Sequence, residues 1–294
     1  MPKIIKTILL SGATGFLGSN LLKKLVNANY DVVILKRSFS NTIRIDNYIN
    51  KIKYYDIDKV GLEKCFLEHS IDAFIHCATD YGRKDIDPLH IIDANLVIPL
   101  KIVEIGIKNN CTIFLNTDSI LDKGINSYSL SKKQFLDWFK IYSDRSICIN
   151  IVLEHFYGPF DDKSKFVSSI ISKLLQKVSQ IDLTEGQQKR DFIYIDDVVD
   201  AFLIILTNIS KMNIGFHNYD IGSGQLITIK DVVKQIKELT GNNFTNLNFG
   251  AIPYRTNEIM EPKMDISPIK NLGWFPRTSL LNGLTYTIKF ETKK

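Results

Sequence analysis

Long apolar runs are missing from this 294-residue chain. The longest, such as residues 201–206, fall far short of the roughly 18 residues that a membrane span needs, which excludes a transmembrane helix and a membrane partner. Cysteine is scarce. Cys65, Cys77, Cys111 and Cys148 stand far apart, with no CxxC pair and no histidine at a metal-ligand spacing. That pattern excludes a zinc site and leaves the thiols as reduced, buried small hydrophobes. Charge of one sign is nowhere concentrated: the net charge is +5, but the basic residues are scattered in pairs among many acids, which argues against a nucleic-acid partner. Internal repeats, low-complexity tracts and flexible linkers are also lacking. The first ten residues carry no extended apolar core with a small-residue cleavage site. They run straight into a glycine-rich turn and read as a first strand, so a cytoplasmic protein is expected.

What is present is an ordinary globular balance, 45% hydrophobic and 23% charged, long enough for one large domain or two closely joined ones. In the first half, strand-like runs at 4–10, 30–35, 52–55, 73–76, 112–116 and 147–153 alternate with helical spacing at 17–28, 61–69, 91–108 and 129–142. Such alternation predicts βαβ units, hence a doubly wound parallel α/β sheet of the Rossmann type. Beyond residue 157 the pattern loosens into polar loops at 158–165, 184–190 and 241–256, the kind that form binding surfaces or lids. A helix at 197–206 and a strand near 216–221 are placed to return to the first sheet. The expected division is therefore 1–156, with a returning segment at about 197–224, and a smaller C-terminal α/β domain made mainly of 157–294.

The first strand is followed by Ser-Gly-Ala-Thr-Gly-Phe-Leu-Gly, which sets Gly12, Gly15 and Gly18 around Phe16 and Leu17 at the mouth of the first helix. The three glycines suit a tight turn, a close approach of backbone to pyrophosphate, and close helix–strand packing, with the helix N-terminus facing the phosphates. Roughly 20 residues on, where an acid would bind the ribose of NAD, the chain reads Lys36-Arg37-Ser38. Two cations attract a 2′-phosphate, so NADPH is expected over NADH. Asp56 and Ile57, after the third strand, are candidates to flank the adenine.

Tyr128 and Lys132 lie one helical turn apart on one face, so the ammonium is expected to lower the phenol's pKa and make it an acid–base group. Tyr55 and Lys59 share that spacing but end a strand with no amphipathic helix behind them. Thr117, at the end of the preceding strand, is expected to aim its hydroxyl at the same substrate oxygen.

Together these residues resemble the extended short-chain dehydrogenase/reductase family, which holds sugar-nucleotide epimerases, dehydratases and reductases. The resemblance extends over nearly the whole chain, through His76-Cys77-Ala78, Asn95, Tyr157-Gly158-Pro159, the stretch from Arg190-Asp191-Phe192 to Asp197, and Leu272-Gly273-Trp274. It implies that Tyr128, Lys132 and Thr117 carry proton transfer, with Lys132 also holding the nicotinamide ribose. Cys77, Ala78, Thr79, Asn95 and His155 would join the cofactor site. Tyr81, Arg83, Asp118, Ser119, His155, Lys165, Arg190 and Arg255 would meet the substrate, the arginines through its phosphates. A homodimer packed through the helices at 91–108 and 129–142 is implied by analogy alone.

Within the family the 4,6-dehydratases follow the threonine with Asp-Glu, whereas Thr117-Asp118-Ser119 lacks the glutamate. The 4-epimerases carry an acid where Lys36-Arg37 stands. The segments Thr79-Asp80-Tyr81-Gly82-Arg83, Glu154-His155-Phe156-Tyr157-Gly158 and Gln187-Gln188-Lys189-Arg190-Asp191-Phe192 resemble the 4-reductases of 3,6-dideoxyhexose biosynthesis, the CDP-abequose and CDP-paratose synthases. His155 stands where most of the family has asparagine. The expected activity is NADPH-dependent reduction of the C4 ketone of a nucleotide-linked 4-keto-6-deoxy sugar; the alternative is an NAD-dependent 4-epimerase.

Overall fold

The computed structural model describes residues 5–82 and 87–292. In chain order the elements are β1 (Thr7–Ser11), α1 (Phe16–Asn27), β2 (Asp31–Lys36), β3 (Lys53–Asp56), α2 (Glu63–Glu68), β4 (Ala73–His76), α3 (Pro88–Ile92), α4 (Ile98–Lys108), β5 (Ile113–Ser119), α5 (Ser127–Ile141) and β6 (Ile147–Leu153). They continue with β7 (His155–Tyr157), α6 (Phe166–Leu175), β8 (Gln180–Leu183), β9 (Lys189–Tyr194), α7 (Ile195–Asn208), β10 (Gly215–Ile221), β11 (Leu226–Thr228), α8 (Ile229–Leu239), β12 (Asn246–Phe249), α9 (Ser267–Asn271) and α10 (Leu280–Glu291).

The chain divides into two compact units, one of residues 1–153, 199–220 and 268–274, the other of 154–198, 221–267 and 275–294. The first carries a seven-stranded sheet in the order β10-β6-β5-β4-β1-β2-β3, a Rossmann arrangement with parallel pairings from β3 through β6. Its strands read as near-continuous apolar runs because helices cover both faces: Ile8, Leu9 and Leu10 are all fully buried. Phe74, Phe114, Phe135 and Phe139 fill one side of the sheet, the last two rings stacked 5.4 Å apart. A buried phenylalanine of this kind is worth about 3–5 kcal/mol against alanine. Strand order reverses between β1 and β4, the place where open α/β sheets bind ligands beyond the carboxyl ends of their strands.

One expected helix is not uniform. The stretch at 91–108 consists of α3, a π-turn at Asp93–Val97 and α4. Pro99 explains the widening: it has no N–H for the Asn95 carbonyl, and its ring crowds that carbonyl.

The second unit holds a three-stranded sheet, β11-β9-β7, and a parallel pair, β12-β8. Its core includes Val232, Val233 and Ile236 of the amphipathic α8. Gly283 of α10 is required by close packing, since a Cβ there would run into the Tyr157 hydroxyl, which donates to the Leu280 carbonyl at 3.2 Å. Among the described residues, no helix is long and apolar enough to cross a membrane.

Candidate active site

The glycine turn takes its shape from contact with β4. Gly12 has φ +75°, a region that penalises side chains, and a Cβ there would lie 2.5 Å from the Cys77 carbonyl carbon. A Cβ on Gly18 would run into the Gly12 carbonyl. Gly15 is exposed and caps α1 without a side-chain hydrogen bond, and the helix's first turn holds no acid. The first amides of α1 therefore lack a side-chain cap and carry the partial positive charge of a helix start, which fits a dinucleotide's phosphates. Leu17 is buried in the core, while Phe16 is partly exposed. Cys77 and Ala78 lie directly against the turn, their amides bonding the Ser11 carbonyl (3.2 Å) and Ser11 Oγ (3.4 Å). Of the four cysteines, Cys77 alone is not fully enclosed.

At the carboxyl end of the neighbouring β2, Lys36 pairs with Asp56 and packs under the Tyr54 ring, with only 9% of its side chain exposed. Both residues were expected on the cofactor, one at the phosphate and one at the adenine; here each is the other's partner. Arg37 is exposed, its guanidinium 4.9 Å from the Phe39 ring centre. Ile57 packs against the core and its amide bonds the Lys36 carbonyl at 2.9 Å.

Helix α5 begins with a capping box: Asn126 accepts from the Ser129 amide at 2.8 Å, and Ser129 Oγ accepts from the Asn126 amide at 3.2 Å. This fixes Tyr128 in the first turn of α5, where the helix dipole favours negative charge. Lys132, one turn on, is 2% exposed and donates to the Thr117 carbonyl at 2.9 Å. Burial pushes its pKa down to about 8, against the opposing pull of Asp118. The phenol moves the other way from the sequence expectation. Burial, and then the neighbouring Tyr81 and Asp118, hold Tyr128 above the usual tyrosine range, with only partial relief from the Ser119 and Thr79 hydroxyls. Removing an anion's water outweighs what a cation engaged elsewhere restores. Tyr81 lies across the phenol with ring centres 5.0 Å apart. The decoy Tyr55 bonds Glu68 (2.5 Å) and His69 (3.0 Å) instead.

The structure also brings a different hydroxyl to the phenol. Thr117 donates to the His76 carbonyl at 2.9 Å and is buried, whereas Ser119, two residues further along β5, interacts with Tyr128. Asp118, expected on substrate, is buried on the protein's own donors: Lys123 Nζ at 2.6 Å and the Ser119 amide at 2.8 Å. Asn95, expected on cofactor, spends its amide internally. It accepts from Thr79 Oγ1 (3.2 Å) and the Asp80 amide (2.8 Å), and donates to the Asp80 carbonyl (2.8 Å) and Ser131 Oγ (3.0 Å). Arg83 lies outside the described residues.

In the second unit, Arg190 is likewise committed: its guanidinium pairs with Glu258 and donates to the Lys189 and Ile259 carbonyls, both at 2.6 Å. Arg255 is exposed, and Lys165 caps α6 through its backbone. His155 Nδ1 bonds Glu154 Oε1 at 3.0 Å, and its ring tilts against Phe192.

Sequence reasoning missed His76. It is 1% exposed, bonds Ser11 Oγ through Nδ1 at 2.8 Å, and is held well below the usual histidine range by burial and by Lys132. It also missed the amide chain Asn116-Asn150-Asn218 across β5, β6 and β10, bonded at 2.8 and 2.9 Å and running from two buried residues to an exposed one. Apolar strands interrupted by asparagine were the available signal.

A glycine turn on a reversing parallel sheet, with a buried lysine one turn from a tyrosine at the start of α5, defines a dinucleotide-dependent enzyme. The chain belongs to the NAD dependent epimerase/dehydratase family, which matches residues 8–222. It is 35% identical to a CDP-abequose synthase of Salmonella muenchen over 97% of both chains. It is 30% identical to a CDP-abequose synthase of Yersinia pseudotuberculosis over 87% of this chain and 91% of that one. Among solved structures it is similar to UDP-glucose 4-epimerase from Thermotoga maritima (TM-score 0.85, 22% identity, 98% and 99% covered), a likeness of fold.

Proposed function

We propose that this enzyme uses NADPH to reduce the C4 ketone of a nucleotide-linked 4-keto-6-deoxy sugar, in the manner of the CDP-abequose and CDP-paratose synthases, for deoxysugar and O-antigen lipopolysaccharide biosynthesis. The near full-length identity to CDP-abequose synthases carries this reading. The bound reduced dinucleotide supplies two electrons and one hydrogen to the carbonyl carbon. Tyr128 gives the matching proton to the carbonyl oxygen, so the C=O bond becomes CH–OH. A raised phenol pKa suits this direction, because the developing alkoxide is far more basic than a phenolate and takes the proton readily. Ser119 donates to the same oxygen, and such fixed donors around developing charge are the largest expected catalytic contribution. Lys132 has two further N–H donors beyond its bond to Thr117, enough for a ribose, and its charge steadies the phenolate left behind.

The second unit would hold the sugar nucleotide, with Arg255 and Lys165 as candidate phosphate contacts. Exposed Leu130, Trp138 and Ile141 on α5 support a homodimer. The second reading, an NAD-dependent 4-epimerase, draws support from the Lys36–Asp56 pair, which removes one of the two cations that favoured NADPH.

Incubation with NADPH and a panel of CDP-, dTDP- and GDP-linked 4-keto-6-deoxy sugars separates the two. Stoichiometric loss of nicotinamide absorbance with a 4-hydroxy product by NMR is expected. Purified protein carrying tightly held NAD, with interconversion of 4-epimers and no net oxidation, would overturn it.

A further inference from the structure

The tips of β2 and β3 are joined by two pairs with the same separation of 20 residues. Lys36 meets Asp56, in register with it across the parallel strands. Two residues on, Ser38 meets Asp58: the Ser38 amide donates to Oδ1 at 2.7 Å and the Ser38 hydroxyl to Oδ2 at 2.6 Å. Asp58 therefore receives one hydrogen bond on each oxygen, as a phosphate would. Those bonds also hold its carboxyl below the usual range, so it is an anion at neutral pH. Arg37 stands between the two pairs with its guanidinium exposed.

The end of β2 is where a Rossmann sheet meets the adenosine ribose. Of the donors there, Lys36 is neutralised by Asp56 and Ser38 is occupied by Asp58, which leaves Arg37 as the exposed cation at the tip of β2; Lys59, also exposed, acts on Asp58 from the β3 side. We propose that Asp58 sets the cofactor selectivity of this enzyme, by occupying the Ser38 donors that a ribose 2′-phosphate would use and by opposing that phosphate's charge. A 2′-hydroxyl displaces nothing and can donate to the carboxylate. A 2′-phosphate must either expel Asp58 from Ser38 or sit beside a like charge. Selectivity is then a balance between Arg37, which draws the phosphate in, and Asp58, which resists it; both cofactors are usable and the preference is smaller than Lys36-Arg37 suggests.

The inference rests on the dinucleotide site described above, and direct binding tests it without turnover. The dissociation constants of NADPH and NADH are measured by calorimetry for wild type, Asp58→Asn and Asp58→Ser. Both substitutions remove the charge and keep a polar side chain beside Ser38. NADPH should tighten by about tenfold, with NADH changed by less than about twofold, and Arg37→Gln should move the ratio the opposite way. An unchanged NADPH to NADH ratio in a folded Asp58 variant overturns the proposal, as does equal weakening of both, which would make Asp58 a residue that only orders the loop. Failure of wild type to bind either dinucleotide would instead overturn the cofactor reading itself.

Discussion

The carboxyl end of β5 and the tip of β2 both gather charged and hydroxyl groups at one edge of the sheet, but they do so under opposite dielectric conditions. Around β5, Lys132, Asp118, Thr117 and Tyr128 are all buried; Lys132 and Thr117 bond strand carbonyls, and Asp118 bonds Lys123 and the Ser119 amide. At the tip of β2, Lys36 is matched to Asp56 and Ser38 to Asp58, while Arg37 stays exposed beside Phe39. Burial makes a titratable group single-purpose, because every alternative partner has been removed along with the water. Exposure leaves the same residue types free to be shared, so their role is decided by competition. Chemistry is expected to fail outright when the first region is altered, and affinity to shift by degrees when the second is.

The largest break should come from Tyr128→Phe, which removes the proton donor and keeps the ring that packs on Tyr81. Turnover should fall by at least about a thousandfold, with nucleotide binding by calorimetry within a fewfold of wild type. Retained turnover would move the acid elsewhere. Next, Lys132→Met should abolish most turnover yet stabilise the protein at neutral pH. The folded lysine gives up its proton near pH 8, whereas the unfolded one keeps it to about 10.4. Between these values the unfolded chain binds more protons, so wild-type stability rises with pH across that window, and the burden of burying the charge is complete below pH 8. Denaturant melts from pH 7 to 10 should show that rise in wild type and a flatter profile in the variant. The smallest effect separates two hydroxyls. Ser119→Ala should lower kcat by about ten- to a hundredfold, while Thr117→Val, losing a bond to a strand carbonyl, should act mainly on melting temperature.

That last pair marks how far the sequence was legible. Gly12, Gly15, Gly18, Tyr128 and Lys132 could be read because their roles are local: a turn, a helix start, one helical turn of spacing. Thr117 and Ser119 share a parity on β5, so alternation alone does not choose between them. The choice depends on register. β4 ends at His76, which pairs with Asn116, so Thr117 falls beside the His76 carbonyl and Ser119 projects beyond the shorter strand. The pairing of Arg190 was hidden for the same kind of reason, its partner Glu258 being 68 residues away. The Lys36–Asp56 pair depends on a strand neighbour too, and Lys36 reads as an available cation until β3 is placed.

The widened turn that Pro99 imposes on Asp93–Val97 has a mechanical result. It carries Asn95 inward, where one amide fastens the Thr79–Asp80 backbone on one side and Ser131 of α5 on the other. The loop that follows β4 and the helix that bears the phenol are thus cross-braced by a single side chain. The spacing between them is maintained laterally, so thermal drift of either piece carries its neighbour along and preserves the placement of the Tyr128 phenol against that loop.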